Sequence, residues 1–267
     1  MKRILLVNDD GIDAPGLALL ERCAKQVFEE VFVVAPASEQ SGVGMGLTLH
    51  DPLRFQSKGE KRWSVTGTPV DCMITAFCHL LGDTPVDLVC SGINRGPNLG
   101  DDVYYSGTAA AAREALMRGV PALAMSLAGR REYPFEQYEG LLVHLLSWAR
   151  ERHTTREHML NINIPTIDVS QADPKISLHG APGLKGLQVT RLGERSYDNR
   201  LVIRKDPRGQ EYFWIGGSFP DMGDAEGSDC RALSDGFVSM TPIRLDTTAH
   251  AAIEDVAQDW AQWHEEQ

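Results

Sequence analysis

Two continuous apolar runs open the chain, Ile4-Leu5-Leu6-Val7 and Val31-Phe32-Val33-Val34, both of strand length and rich in β-branched residues. Strands that are apolar at every position are covered on both faces, as in a parallel sheet. Between them Leu17, Leu20, Ala24, Val27 and Phe28 fall on one helical stripe, with Asp13 and Pro15 as the start signal. The alternation continues. The spacing predicts a helix over about 69–81 on the stripe Val70, Ile74, Phe77 and Leu81, opened by the capping-box pattern Thr68-x-x-Asp71. A strand follows at 87–91, then an alanine-rich helix over 108–118 closed by Gly119, a strand at 122–126, a helix over about 136–152 and a strand at 160–164. Repeated β-then-α order implies an α/β fold, a mostly parallel sheet with helices on both faces.

Beyond about residue 182 the pattern changes. Leu201-Val202-Ile203-Arg204 and Tyr212-Phe213-Trp214-Ile215 flank the turn sequence Asp206-Pro207-Arg208-Gly209 and predict an exposed β-hairpin. A hairpin with three consecutive aromatic residues is not stable alone in water, so it is expected to pack on the body of the protein or on a second subunit. A last helix is predicted over about 249–263. The organisation expected is therefore a main domain over 1–182 and a hairpin and helix extension over 183–267, an oligomerisation arm rather than an independent domain.

Composition narrows the function classes. The chain has 267 residues, 42% of them hydrophobic and 24% charged, enough apolar material for a full core. Its net charge of -11 has the wrong sign for a protein that neutralises phosphate backbones, which excludes duplex nucleic acid as the expected partner. No apolar stretch approaches a membrane span. The five cysteines form no C-x-x-C pair and sit mostly in apolar runs, and the first apolar run meets Asn8-Asp9-Asp10 at once, unlike a leader peptide. These features predict buried thiols and a cytoplasmic protein.

The chemistry is expected where β-to-α loops converge at the carboxyl ends of the strands. Asn8-Asp9-Asp10-Gly11 follows the first strand, and a turn at Gly11 lets both carboxylates face one cation, although an Asx turn explains the same sequence. The second loop, 36–44, is rich in hydroxyls and glycine. The third, Ser91-Gly92-Ile93-Asn94-Arg95-Gly96-Pro97-Asn98-Leu99-Gly100-Asp101-Asp102, is too constrained in composition for a plain connection. It leads through Tyr105-Ser106-Gly107-Thr108 into the alanine-rich helix, whose free N–H groups and small residues suit a bulky anion. Carboxylate, hydroxyl and amide oxygens without cysteine or histidine fit Mg²⁺, Mn²⁺ or Ca²⁺ rather than zinc. No P-loop or dinucleotide fingerprint is present.

Asn8-Asp9-Asp10-Gly11, Ser41-Gly42, Gly67-Thr68-Pro69-x-Asp71-Cys72, Ser91-Gly92-Ile93-Asn94-x-Gly96-x-Asn98-Leu99-Gly100 and Tyr105-Ser106-Gly107-Thr108-Ala109, in this order, resemble the SurE family of survival-protein nucleotidases. The similarity continues in Leu160-Asn161-Ile162-Asn163-Ile164-Pro165 and in Gly236-Phe237-Val238-Ser239-Met240-Thr241-Pro242. The resemblance implies a Rossmann-like three-layer sandwich and a metal-dependent phosphatase of nucleoside 5'- and 3'-monophosphates, in some members also of short polyphosphate. It further implies one divalent cation per subunit, held by Asp9, Asp10, Ser41 and Asn94. Asn98, Ser106, Gly107 and Thr108 would line the phosphate pocket. Metal-assisted hydrolysis is the mechanism expected from these residues, with either Asp9 or Asp10 as the catalytic base that accepts the proton of the attacking water. A C-terminal hairpin exchanged between subunits would build a homodimer or homotetramer. One departure is visible: many relatives carry a histidine where this chain has Asp235, and Asp229 matches another polar position of that stretch, so neither is placed in the catalytic set. An aspartyl-phosphate phosphatase is the nearest rival, but it calls for Asp-x-Asp where this chain has adjacent aspartates. A non-catalytic nucleotide sensor is the alternative from a different class.

Overall fold

In the computed structural model, which describes residues 2–129, 133–167, 173, 175–197, 200–216, 221–223 and 225–265, the first apolar run forms β1 (Arg3–Val7) and the second β2 (Glu30–Pro36). Helix α1 (Pro15–Val27) joins them and buries Leu17, Leu20, Ala24 and Val27 as its spacing predicts. Its N-cap is Ala14, which makes no side-chain cap bond, so Asp13 is not the start signal. A turn closed by Ala14 N–H to Gly11 O (3.1 Å) feeds Pro15 into the first helical position, where no N–H is needed.

An edge hairpin follows, β3 (Phe55–Gly59) and β4 (Arg62–Val65). The capping box forms at α2 (Pro69–Thr75): Asp71 N–H donates to Thr68 Oγ1 at 3.1 Å and Thr68 N–H to Asp71 Oδ2 at 2.9 Å. The helix expected to run to Leu81 instead widens into a π-helical turn over Ala76–Leu80, and its fully buried stripe uses Met73 and Ala76 in place of Ile74. Next come β5 (Leu88–Arg95), α3 (Gly107–Met117), β6 (Ala122–Ala128), α4 (Glu139–Arg152) and β7 (Met159–Pro165). The residues around 136–138 form a short 3-10 turn ahead of α4. The remaining elements are the short strands β8 (Ser177–Leu178), β9 (Ala181–Pro182), β10 (Leu187–Val189) and β11 (Arg195–Ser196), the hairpin β12 (Arg200–Lys205) and β13 (Glu211–Gly216), β14 (Asp221–Met222), α5 (Asp229–Ser234), β15 (Val238–Ile243) and α6 (Ile253–Glu265).

The main sheet runs in the order β10-β15-β7-β6-β5-β1-β2-β4-β3. Its strands from β4 to β7 are parallel, while β3 and β15 pair antiparallel to β4 and β7. Helices α1 and α4 cover one face and α2 and α3 the other, each over its own apolar cluster, which is the expected three-layer α/β arrangement. Strand order reverses between β1 and β5, so the loops after these two strands open the crevice in which ligands of such sheets bind. The chain beyond residue 183 returns to this sheet through β10 and β15, whereas β12 and β13 pair only with each other. Leu201, Ile203, Phe213, Trp214 and Ile215 are exposed there, Ile215 at 91%, so the hairpin does not pack on the body.

One boundary matters for the site. β5 was expected to end at Ser91, but it continues to Arg95, with Asn94 beside Ser126 and Arg95 beside Leu127 of β6 after a bulge. Glycine in this stretch serves the strand rather than a loop: a Cβ on Gly92 (φ +137°) would lie 2.3 Å from the Met125 carbonyl oxygen. Cys23, Cys72, Cys90 and Cys230 are buried and Cys78 is exposed, all five as free thiols.

Candidate active site

Four segments meet at the carboxyl ends of β1, β2 and β5. After β1, the Asn8 side chain ties the turn together, its Nδ2 donating to Gly11 O (2.9 Å) and its Oδ1 accepting from Gly11 N–H (3.2 Å). The Asx turn is therefore real, and it serves the carboxylates by fixing the backbone that carries them. Gln40 N–H donates to Asp9 O at 2.8 Å, which draws the loop after β2 onto the first. Gly44 N–H donates to Tyr105 O at 2.9 Å and joins that loop to the approach to α3.

Asp9 is 4% exposed and accepts a hydrogen bond from the Thr108 hydroxyl. Gly107 allows this contact, because a Cβ there would stand 2.8 Å from Asp9 Cβ. Ser106 caps α3, its Oγ accepting from Ala109 N–H at 3.0 Å. The carboxylate thus sits against a helix start. Burial, helped by the neighbouring Asp10 charge and opposed by Thr108 and nearby backbone N–H groups, pushes the Asp9 carboxyl up to about 6. Asp10 is engaged differently: Arg95 donates to it through Nε (3.0 Å, Oδ1) and through its backbone N–H (3.1 Å, Oδ2).

The remaining expected ligands are placed less directly. Asn94, at the end of β5, spends its Nδ2 on Gly96 O (2.9 Å), which leaves its carbonyl oxygen for another partner. Ser41 is exposed and its Oγ donates to Glu39 Oε1 at 2.9 Å. Asn98 is buried and turned toward the sheet, with Nδ2 donating to Ser126 Oγ at 2.8 Å. The structure therefore brings Asp9, Gly107 and Thr108 into contact, ties Asp10 to Arg95, the residue that follows Asn94, and joins the loop of Ser41 to Asp9 through Gln40 N–H.

Several contributors lie outside the expected ligand and pocket set. Arg95 holds Asp10 and reaches Glu39 (3.3 Å). Asp229 is fully buried and accepts from Gly100 N–H (3.0 Å) and Gly193 N–H (2.7 Å). Asp102 accepts from Arg195 and from the Tyr197 hydroxyl. These bonds fasten the turn before α3 to the chain that leads into the hairpin. Asp235 pairs with Arg231 (2.8 Å) on α5 and does not face the aspartates.

The family described as Survival protein SurE matches residues 4–199. The chain is 42% identical to the 5'-nucleotidase SurE of Gemmatimonas aurantiaca, covering 98% of this chain and 99% of that one. It is 41% identical to the 5'-nucleotidase SurE of Rhodospirillum rubrum, with 94% of each covered. Among solved structures, that of the SurE protein from Aquifex aeolicus superposes with a TM-score of 0.80 at 35% identity, over 95% of this chain and 98% of that one.

Proposed function

Since the chain belongs to the SurE family, we propose that it is a divalent-cation-dependent 5'-nucleotidase, a phosphoric monoester hydrolase that acts on nucleoside 5'- and 3'-monophosphates and on short polyphosphate. The observation that carries this reading is the contact between the buried Asp9 carboxylate and the start of α3. A phosphate that arrives at this helix start and the carboxylate that already touches it repel one another. A cation between them removes the conflict. The donors available are oxygens of Asp9, Asp10, Ser41 and Asn94, which suit Mg²⁺, Mn²⁺ or Ca²⁺.

When bound, the ion supplies Lewis-acid stabilisation of charge on the phosphoryl oxygens. The protein's own groups do the rest. The N–H groups at Gly107 and Thr108 and the Ser106 hydroxyl receive the phosphate oxygens at the α3 start. Arg95 donates one hydrogen bond to each oxygen of Asp10 and holds it as a fixed charge, with a further acceptor site left on each oxygen. Asp9, buried against the α3 start, is the group we assign to take the proton of the attacking water, a proton that passes to the nucleoside oxygen as its bond to phosphorus breaks.

The exposed apolar hairpin supports a homodimer or homotetramer built through β12 and β13. The free thiols support a cytoplasmic setting, and among the described residues no helix is long and apolar enough to cross a membrane. Phosphate release from 5'- and 3'-nucleoside monophosphates, phosphosugars and polyphosphate, measured with Mg²⁺, Mn²⁺, Ca²⁺ or chelator, tests the activity. Release from nucleotides that stops with chelator is expected, and equal release in chelator sinks the cation requirement. Sedimentation of wild type against Trp214→Glu tests the assembly: the variant is expected to run at a lower mass.

A further inference from the structure

We infer that Asn161 and Asn163 are positioning residues for this reaction: from β7 they hold the main chain of Asn98 and thereby set the loop that carries Asn94 at one end and the α3 start at the other. The inference rests on the proposed function and extends it to residues outside the pocket.

Both side chains are fully buried in the middle of a sheet. A carboxamide is costly to bury unless it is hydrogen-bonded, and an apolar residue would serve a strand interior better. Their bonds all run to one residue. Asn161 Nδ2 and Asn163 Nδ2 donate to Asn98 O at 2.8 and 3.0 Å, and Asn98 N–H donates to Asn163 Oδ1 at 2.8 Å. Ser126 on β6 accepts from the Asn98 side chain. Both backbone groups and the amide of Asn98 are thus fixed from two adjacent strands.

Register strengthens the assignment. Asn94, Ser126, Asn163 and Ser239 are successive partners across β5, β6, β7 and β15, so one polar row crosses four strands and begins at a candidate cation ligand. The opposite face of β7 carries Leu160, Ile162 and Ile164 in the apolar core. Ser239 Oγ at the end of the row and Asn161 Oδ1 next to it are buried without a hydrogen-bond partner, so these polar groups are not placed to maximise stability. A loop that must hold Asn94 against Asp9 and present α3 to phosphate gains from such rigidity, since misplacement by about 1 Å can cost about 100-fold in rate.

The test compares Asn163→Leu and Asn161→Leu with Ile162→Ala, a core change on the other face of the same strand. Thermal melting, hydrogen exchange of the peptide spanning 94–106, and turnover of a nucleoside monophosphate at saturating and limiting Mn²⁺ are measured for each. In the asparagine variants, exchange of 94–106 is expected to accelerate and kcat to fall about tenfold or more, with half-activation moved to higher Mn²⁺. Ile162→Ala is expected to melt at lower temperature with kcat within about twofold of wild type. Should Asn163→Leu fail to fold, Ser126→Ala, which removes only the hydroxyl under the Asn98 amide, is expected to show the same signs at smaller size. Unchanged exchange and kcat in the folded variants would overturn the inference, as would an equal kcat loss in Ile162→Ala. A wild-type protein inert toward every phosphate ester with every cation would instead remove the proposed function itself, and the positioning role with it.

Discussion

The two faces of the main sheet are built from the same strands and treat their carboxyl ends in opposite ways. On the side of α1 and α4 the strands stay apolar throughout: Leu123, Met125 and Leu127 on β6, Leu160, Ile162 and Ile164 on β7. On the side of α2 and α3 they start apolar, with Ala122, Ala124 and Met159, and finish polar, with Ser126, Asn161 and Asn163. One face therefore holds the fold together along its whole length. The other gives up apolar burial where the loops of the site rest on it. Stability and chemistry are divided between faces, so damage to each should register in different measurements.

The sharpest separation is expected at Asp9. Asp9→Asn should lose about 1,000-fold or more in turnover, since the change removes both a cation ligand and the proposed base. Steady-state kinetics at saturating Mn²⁺ decide this, and near-wild-type kcat would contradict both roles. An apolar-face change should do the reverse: Leu142→Ala, at a fully buried site, should cost about 2–5 kcal/mol in chemical denaturation and leave kcat nearly unchanged.

The third prediction reverses the usual sign of a mutation. The folded Asp9 carboxyl sits near 6, above its ordinary 3.8, so folding favours the protonated form. Its contribution is full below 3.8 and is lost as pH rises through about 6; ionising it at pH 8 costs about 3 kcal/mol. In chelator at pH 8, Asp9→Asn should therefore melt higher than wild type, and the gap should close toward pH 4. A variant that melts lower at both pH values would show that the buried charge is not what limits the metal-free protein.

The smallest effect belongs to Thr108→Val. The Thr108 hydroxyl lowers the Asp9 carboxyl against the pull of burial, so its loss should move the acid limb of the rate profile upward. An unmoved limb would assign that limb to another group.

Much of this arrangement is written in local sequence. The runs at 4–7 and 31–34, the stripe of α1 and the Thr68-Asp71 capping box each depend on neighbouring residues alone, and each forms as its pattern implies. The pairing of Asp9 with the α3 start was legible because carboxylates after one strand and a small-residue helix start after another meet at a crossover point. Other features depend on distant partners. β3 is exposed at every position and carries no alternation, and the alternation of β15 over Val238–Thr241 is cut short by Pro242, a residue that argues against a strand inside a sheet. β5 runs past Gly92 because β6 lies close against it, a fact that resides in Met125. Asn161 and Asn163 look like interruptions of an apolar strand until the loop above them is in place.

Four of the five thiols lie inside the protein, and burial lifts Cys23 and Cys230 to about 12, beyond the reach of ordinary labelling chemistry. Cys78 alone is accessible, 3.8 Å from the guanidinium of Arg118 at the far end of α3. A maleimide fluorophore added to the unaltered protein would settle at one address, roughly 15 Å along a single helix from the end that faces Asp9. The molecule thus comes with a built-in attachment point for optical recording of what happens at that opposite end.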